Sequence, residues 1–294
     1  MPSDPPPTRP PSAADVASAA QLACLLEASA PKPGNVHPGA RFHDTSFEDF
    51  LASSAAIGPA LLHAGDCPLG ETILAAIRAT RHWTAANTNL GIVLLLAPLA
   101  RAALQPPHDP SRASLRARTS RVLDSTTVAD ATLVYDAIRL AHPAGLGRTD
   151  EQDVATTPTV PLRDAMALAA ARDGIAREYA TDFRMTFEIG APAIVRARQD
   201  QLSWNDSVVE TFLTQLAAGP DTHVARKLGT RAAENMSRQA AGVLAVGGVR
   251  TKAGRAEIAR LDHDLRDERN ARNPGTTADL TASAIFVALL GGAR

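Results

Sequence analysis

Two apolar runs restrict the folds open to this chain more than any other feature of its sequence. Residues 90–100 have the sequence LGIVLLLAPLA, and residues 282–292 have the sequence ASAIFVALLGG. Both are far shorter than the roughly 20 residues that a helix needs to cross a bilayer. Alternating patterns, which indicate strands, are scarce elsewhere, and helical spacing of apolar residues dominates. The two runs therefore predict helices buried on nearly every side, within an all-α protein.

Helix start and stop signals support a single globular domain of many helices. Segment 45–65 opens with Thr45-Ser46 in the cap position and continues with helical periodicity. Segment 204–221 is predicted to start on Asn205 or Asp206 and to end at a Gly-Pro pair. These patterns predict one helical domain over residues 14–294.

Two kinds of polar stretch lie outside the predicted helices. Residues 1–13 are rich in proline and predict a disordered or polyproline-like tail. Residues 105–114 and 147–161 predict surface loops, and neither is long enough to mark a domain boundary.

Charge and cysteine content exclude several classes of protein. The net charge of −1 argues against a protein that binds nucleic acid by bulk electrostatics. Cys24 and Cys67 are the only cysteines, so neither a disulfide framework nor a cysteine zinc site is expected. The N-terminus lacks the apolar segment of a secretory signal. These features predict a soluble protein of the reducing cytoplasm, without a membrane partner.

Four short polar segments interrupt the helical pattern. They are the Pro-Lys-Pro-Gly loop (residues 27–44), the Asn-Thr-Asn segment (85–91), the Asp-Thr segment (219–229) and the Pro-Gly segment (270–280). Helix capping alone explains any one of them, because Asn, Thr and Asp side chains accept hydrogen bonds from free amide groups at helix starts. His37 and His43 in the loop have a spacing that suits a metal, but such a loop pair is more often polar surface.

Taken together, the four segments predict a polyphosphate pocket. Helix N-termini present free N–H groups and the positive end of the helix dipole, both of which suit phosphate. Mg²⁺ is a hard ion that prefers carboxylate oxygens and water. The side chains available are Lys32, Arg226 and Lys227 for phosphate, and Asp44, Asp221 and Asp279 for Mg²⁺.

The motifs of these segments resemble those of the triphosphoribosyl-dephospho-CoA synthase family. They are PKPGNVHPGARFHD, NTNLG, GPDTHVARK and NPGTTADLTASAIFVALL, in that order along most of the chain. Members of the family are all-helical, and they join ATP to 3'-dephospho-CoA with release of adenine. The resemblance implies a transferase that takes ATP and an alcohol acceptor such as 3'-dephospho-CoA, with Mg²⁺ as cofactor.

The implied reaction is substitution at C1 of the ATP ribose, which sets three tasks. The triphosphate must be held, the attacking hydroxyl must lose a proton, and negative charge must stabilise an oxocarbenium-like centre. The residues that we assign to these tasks are Asp44 as base with Lys32; Lys32, Asn35, Asn87, Thr88, Asn89, Thr222, Arg226, Lys227 and Gly275 for substrate; and Asp221 and Asp279 for Mg²⁺. Glu27 and Glu188 are second candidates for the base, and the roles of the three aspartates are interchangeable at this point.

One departure from the family pattern leaves the acceptor open. Members that serve citrate lyase or malonate decarboxylase carry Asn-Thr-His-Lys-Gly where this chain has Asn-Thr-Asn-Leu-Gly at residues 87–91. The chain therefore resembles a divergent branch, and a step in the synthesis of another coenzyme, such as a one-carbon carrier, also fits its sequence. Two further functions stay open: a non-catalytic nucleotide sensor, and a hydrolase that cleaves a nucleotide N-glycosidic bond.

Overall fold

The fold consists of helices that surround two central ones. The structure is a computed structural model, and it describes residues 10–109, 111–143 and 147–293. Most of the predicted tail, residues 1–9, lies outside the described residues. In chain order, the helices of the N-terminal half are α1 (Ala13–Ser29), α2 (Phe47–Ala56), α3 (Gly58–Leu62), α4 (Leu69–Trp83), α5 (Leu90–Ala103), α6 (Arg112–Asp124) and α7 (Val128–Ala141).

The C-terminal half continues in the same way. Its helices are α8 (Leu162–Ala169), α9 (Gly174–Ala180), α10 (Ala191–Gln199), α11 (Trp204–Ala218), α12 (Thr222–Leu228), α13 (Thr230–Ala245), α14 (Lys252–Leu265) and α15 (Gly275–Leu290). A π-helical turn (Met185–Gly190) precedes α10, and a 3₁₀ turn (Gly248–Arg250) precedes α14. The part of the chain that the structure describes contains no strand, and the all-α prediction is confirmed.

The two apolar runs form the centre of the molecule, as predicted. α5 packs against α15, and α1 packs against both. Nearly every residue of α5 and α15 is buried. Among the described residues, no helix has the length and apolar character needed to cross a membrane.

Caps place the helix starts close to the predicted positions, with two differences. The predicted helix over 45–65 is broken after Ile57, because Pro59 lacks an N–H and is suited to the first turn of a new helix, α3. Ser203 caps α11, which begins at Trp204, just before the predicted start. Ser46 caps α2 as predicted, and its capping-box partner is Asp49.

Candidate active site

All four polar segments contribute to the wall of one cavity of about 430 Å³. This volume lies within the range of roughly 300–1,000 Å³ that is common for ligand pockets. Its polar side contains Glu27, Lys32, Asn35, Phe42, Phe50, Asn87, Thr88, Asn89, Gly91, Asp173, His223, Arg226, Asn273, Gly275, Thr276 and Asp279. Its apolar side lies between α5, α7, α8 and α9. The predicted convergence of the segments is therefore observed.

The Pro-Lys-Pro-Gly loop is held in place by its own lysine. Lys32 Nζ lies 2.9 Å from Glu27 Oε1 and donates hydrogen bonds to the carbonyl oxygens of Glu27 and Ala30, at the end of α1. An ammonium group has three N–H donors, and these acceptors occupy all of them. Lys32 is almost fully buried. The structure therefore gives Lys32 an anchoring role, and direct contact with phosphate stays a prediction.

Gly34 allows this loop to pack tightly against the Pro-Gly segment. Its φ of +72° lies in the left-handed region, and a Cβ there would lie 2.8 Å from Leu265 Cβ. Its amide donates to Asp262 Oδ1 at 2.8 Å, and Arg266 donates to the carbonyl of Asn35 at 2.9 Å. These contacts fix the loop beside α14 and the start of α15.

The three side chains of the Asn-Thr-Asn segment have different hydrogen-bond partners. Asn89 points into the protein, where its Nδ2 donates to Thr80 Oγ1 at 2.9 Å. Asn87 Oδ1 accepts a hydrogen bond from the Leu90 amide at 3.3 Å, so Asn87 caps the helix that Asn89 precedes. Thr88 is buried, and its hydroxyl has no hydrogen-bond partner in the described part of the chain.

Gly91, at the start of α5, touches the Asp279 carboxylate of α15. A Cβ at position 91 would lie 2.0 Å from Asp279 Oδ2 and 2.7 Å from its Cγ. No residue with a side chain fits there without moving Asp279. The glycine of this motif thus lets the carboxylate of another motif approach the N-terminus of α5.

Asp221 joins two helices. Its Oδ1 accepts from the Val224 amide at 3.0 Å and so caps α12. Its Oδ2 accepts from the amide and the hydroxyl of Thr277, at 2.7 and 2.8 Å, in the first turn of α15. Asp221 is buried and does not line the cavity. Because its oxygens already receive these bonds, the structure favours capping over the predicted metal ligation.

Thr222, like Asp221, connects the starts of neighbouring helices. Its hydroxyl accepts from the Gly174 amide at 2.9 Å and lies 3.1 Å from Thr276 Oγ1. It joins the starts of α9, α12 and α15 behind the cavity wall, which it does not line.

Arg226 extends along the cavity wall between an acid and an imidazole. One terminal nitrogen pairs with Asp173 Oδ2 at 2.5 Å, and the other lies 3.5 Å from His223 Nδ1. Its Nε is buried without a partner in the described chain. Burial, with the nearby charges of Lys227 and Arg226, lowers the pKa of His223 to about 3.

The buried side-chain polar atoms that lack a hydrogen-bond partner in the described chain all belong to residues of the cavity wall. Within the described residues these atoms are Thr88 Oγ1, Arg226 Nε and Asn273 Oδ1, and all three residues line it. Folded proteins rarely leave buried polar atoms unpaired, and each exception requires an explanation. A polar ligand in the cavity would supply the missing partner of each.

Asp279 is the electrostatic centre of the polar side. Its carboxyl lines the cavity and lies against Gly91 at the start of α5. Burial, together with the negative charges of Glu27, Asp221 and Asp173, raises its pKa well above the usual range. A cation or a cationic reaction centre beside Asp279 would relieve this repulsion.

The donor set fits a Mg²⁺ ion that a nucleotide brings with it. Mg²⁺ usually keeps several waters and takes one or two carboxylates plus substrate phosphates. Among the described residues, no group of three or more His, Cys, Asp or Glu side chains is arranged to hold a metal. Asp279 is the carboxylate best placed to bind such an ion.

Several predicted residues lie elsewhere. Asp44 lies outside the cavity wall with 63% of its side chain exposed, near His43 at 3.6 Å. Lys227 also lies outside the wall, and its Nζ donates to the Asn270 carbonyl at 3.3 Å. Glu188 is a surface residue paired with Arg116 and Arg184. The structure does not bring these three to the cavity, so their roles stay predictions without geometric support.

The histidine pair shows no metal arrangement. His37 Nδ1 accepts from the Gly39 amide at 3.1 Å, and His43 Nδ1 lies 3.0 Å from Asn270 Nδ2. Each ring thus has a local polar contact of its own, as expected for polar surface.

Sequence reasoning missed several residues of the site. Asp173 was not singled out, although its position before Gly174 and α9 is a capping pattern that could have found it. Phe42 and Phe50 gave no signal, because a phenylalanine in a helical protein usually indicates core. In the structure both rings are half-buried and line the cavity.

Comparisons with known proteins show which family the chain is similar to. The family model described as ATP:dephospho-CoA triphosphoribosyl transferase matches residues 13–294. A Pseudomonas putida protein named "Probable 2-(5''-triphosphoribosyl)-3'-dephosphocoenzyme-A synthase" is 34% identical over 115 residues, which is 39% of this chain and 40% of that protein. The match thus spans less than half of the curated relative.

A solved structure covers more of the chain. It is a crystal structure from Archaeoglobus fulgidus, provisionally assigned as a triphosphoribosyl-dephospho-CoA synthase, with 30% identity and a TM-score of 0.64. The similarity covers 83% of this chain and all of that one. With a family model matched over nearly its whole length, the chain belongs to the ATP:dephospho-CoA triphosphoribosyl transferase family.

Proposed function

We propose that this protein transfers the triphosphoribosyl group of ATP to an alcohol acceptor, such as 3'-dephospho-CoA, and releases adenine. One observation carries the proposal. The three unpaired side-chain atoms and the Asp279 carboxylate lie in the wall of one cavity, near the starts of α5 and α15. The net charge of −1 and membership of a biosynthetic transferase family support a cytoplasmic enzyme without nucleic-acid partners.

The polar side suits the triphosphate. Asn87 takes the Leu90 amide of α5, and Asn273 and Asp221 take the Gly275 and Thr277 amides of α15. The amides of Gly91, Ile92 and Thr276, in the same two first turns, are those that a phosphate would bind. Free amides and the helix dipole attract phosphate. Arg226 adds a cation, and its unpaired Nε gives a donor that the protein itself does not use. Asp279 would hold Mg²⁺ together with phosphate oxygens, and the ion would share the charge of the triphosphate.

The adenine base has a place on the same side. Phe42 and Phe50 line the cavity next to the Pro-Lys-Pro-Gly loop and the Asn-Thr-Asn segment. A purine ring packs well against phenyl rings. Asn273 and Thr88 offer an amide oxygen and a hydroxyl without partners, which suit the polar edge of a base or the ribose hydroxyls.

Glu27 replaces Asp44 as the candidate base. Its carboxylate lines the cavity, and the contact with Lys32 holds it in place. In the proposed step, the acceptor oxygen forms a bond to C1 of the ribose while the bond from C1 to the base breaks. Glu27 takes the proton of the acceptor hydroxyl, and adenine leaves with the electron pair of the broken bond and takes up a proton. Nearby carboxylate charge stabilises the cationic centre, as it does in glycosidases.

Adenine release tests the proposal. The protein is mixed with ATP, Mg²⁺ and an acceptor, and the purines are separated by chromatography. We expect free adenine in the presence of 3'-dephospho-CoA or another alcohol, and much less with Asp279→Asn. Asp164→Asn, an exposed change on α8, is the matched control and should leave the rate unchanged.

Each remaining outcome points to a different function. ADP or AMP without adenine would indicate a kinase or an ATPase. Adenine without any acceptor would indicate a hydrolase. Nucleotide binding without any product would refute the transferase and leave a sensor.

A further inference from the structure

The described part of the cavity wall contains three lysine or arginine side chains, and one of them has no partner there. Lys32 is anchored to Glu27, and Arg226 is paired with Asp173. Arg172, in the turn between α8 and α9, also lines the cavity. Its guanidinium forms no ion pair and no hydrogen bond with the residues that the structure describes. Arg172 is therefore the basic group of this wall that is available to an anionic ligand.

Arg172 lies at the border between the nucleotide side and the opening of the cavity. The next residue, Asp173, belongs to the polar side, where it caps α9 and pairs with Arg226. Arg172 itself is exposed, and its charge acts on the facing wall of α7. Burial and the charge of Asp153 raise the pKa of Tyr135 on that wall, and Arg172 lowers it. An anion bound to Arg172 would thus lie between the nucleotide and solvent.

The acidic groups near Arg172 do not neutralise it. Asp153 accepts hydrogen bonds from the Thr149 amide at 2.7 Å and from the Ala155 amide at 2.8 Å, which hold its carboxylate within its own loop. Glu151, exposed in the same wall, forms no ion pair with Arg172. A phosphate at Arg172 would therefore gain a charge-assisted hydrogen bond without breaking an existing ion pair.

An exposed leucine lies in the same wall, four residues before Arg172. Leu168 of α8 lines the cavity, and 53% of it is exposed. A single exposed leucine is common on protein surfaces, but this one shares the opening with an unpaired arginine. A ligand that is bound by Arg172 and extends out of the cavity can cover Leu168 and remove its apolar surface from water. Glu151 adds a carboxylate that accepts hydrogen bonds from amide N–H groups.

This arrangement matches the order of groups in a nucleotide acceptor with a long substituent. 3'-dephospho-CoA consists of adenosine, a diphosphate and a pantetheine arm that contains two amides. When a hydroxyl of its ribose reacts, the diphosphate follows within a few bonds and the arm extends farther. The wall offers a cation at the border and then an apolar surface and a hydrogen-bond acceptor at the opening.

We propose that Arg172 binds the diphosphate of the acceptor and that the arm beyond the diphosphate leaves the cavity across Leu168. The proposal rests on the proposed transferase function, since it names the class of the second substrate: a nucleoside diphosphate that carries an amide-containing arm. It gives the two substrates separate cations, Arg226 for the triphosphate and Arg172 for the diphosphate.

Binding of 3'-dephospho-CoA to the full chain tests this contact without catalysis. Formycin 5'-triphosphate, an ATP analogue whose base is joined to C1 of the ribose by a carbon–carbon bond, fills the nucleotide side without releasing its base. With this analogue present, calorimetry should show that Arg172→Gln weakens 3'-dephospho-CoA binding about tenfold or more, because charge-assisted hydrogen bonds are lost. The affinity for formycin triphosphate should stay within twofold. The matched control is Arg78→Gln, an exposed arginine of α4 outside the cavity wall, which should change neither affinity.

A second variant tests the path of the arm. Leu168→Ser should weaken 3'-dephospho-CoA binding about threefold, because apolar surface stays in water. It should leave the binding of ADP unchanged, since ADP carries the diphosphate and lacks the arm. Leu22→Ser, at a position of α1 that is 43% exposed and outside the cavity wall, is the matched control.

Three results would overturn the proposal. Equal binding of 3'-dephospho-CoA by the wild type and by Arg172→Gln would refute the diphosphate contact. An equal loss of affinity for formycin triphosphate in Arg172→Gln would assign Arg172 to the nucleotide instead. Unchanged binding of 3'-dephospho-CoA in Leu168→Ser would refute the path of the arm.

Steady-state kinetics separate this contact from the proposed function. Arg172→Gln should raise the KM for 3'-dephospho-CoA about tenfold or more and leave the KM for ATP within twofold. Adenine release with an unchanged acceptor KM in this variant would refute the contact alone. The expected loss of binding in Arg172→Gln, without adenine release by the wild type with any acceptor, would refute the transferase function and leave the contact with 3'-dephospho-CoA in place.

Discussion

Replacing Gly91 with alanine should displace the Asp279 carboxylate and remove most of the activity while sparing the fold. The new Cβ would lie 2.0 Å from Asp279 Oδ2, whereas ordinary contact begins at 3.4 Å, so this oxygen must move by about 1.4 Å. A misplacement of about 1 Å in a catalytic site can cost about 100-fold in rate. We therefore expect adenine release to fall by about 100-fold or more.

The stability of this variant should change little. Alanine is favoured over glycine inside a helix by about 0.5–1 kcal/mol. This gain offsets part of the strain of overpacking, which is typically about 1–3 kcal/mol. Urea denaturation should therefore show a loss of no more than about 2 kcal/mol, too small to unfold the protein.

The matched control is Gly242→Ala on α13. A Cβ at Gly242 meets no atom within 4 Å, so the same substitution should leave activity unchanged. A double-mutant cycle with Asp279→Asn then tests the mechanism, because two changes that act through one group are not additive. The double variant should be no slower than Asp279→Asn alone. Wild-type activity in Gly91→Ala, or fully additive losses, would refute the role given to this contact.

Other variants test single contacts of the site. Asp221→Asn turns an N–H group toward donors that now bond to the carboxylate, and urea denaturation should show a loss of about 1–3 kcal/mol; an unchanged stability with loss of Mg²⁺-dependent turnover would support metal ligation instead. Thr88→Val removes a buried unpaired hydroxyl, so the free protein should gain about 1 kcal/mol while ATP binding measured by calorimetry weakens about tenfold; equal ATP affinity would count against contact with the nucleotide. Lys32→Met leaves Glu27 buried without its cation and should cost about 3–5 kcal/mol in urea denaturation. Adding Glu27→Gln should recover most of that stability without restoring activity, and recovered activity would exclude Glu27 as the base.

The fold was accessible from sequence because its signals are local. The apolar runs at residues 90–100 and 282–292 could be buried only as central helices, and the structure places α5 and α15 there. The break at Ile57 was missed because Gly-Pro within a helical pattern is compatible with either a kink or a new helix. The start of α11 differed because Ser203 caps it just before the polar residues that suggested a start.

The convergence of the polar segments was also predictable, but not which side chain of each segment keeps its polar atoms free. Thr88 and Asn89 both line the cavity, yet the Thr88 hydroxyl is unpaired in the described chain and the Asn89 amide donates to Thr80. That choice depends on α4, which lies beside the segment in space and gives no sign of it in the sequence of the motif. The same limit applies to Asp44, whose motif position did not reveal its exposure.

The hydrogen-bond partners of a motif residue indicate its role better than its position in the motif does. Lys32 and Asp221 looked like a phosphate ligand and a metal ligand, but their hydrogen-bonding capacity is used to hold α1, α12 and α15 in place. Arg226 Nε lacks such a partner in the described chain, and Arg226 and Asp279 line the same cavity. Substitutions at the first pair should therefore reduce stability and activity together, whereas Asp279→Asn should reduce activity without loss of stability. A protein that bound neither a metal nucleotide nor a cationic reaction centre would have no reason to keep Asp279 in the cavity among like charges, because that arrangement costs folding energy and is useful only when a cation is bound.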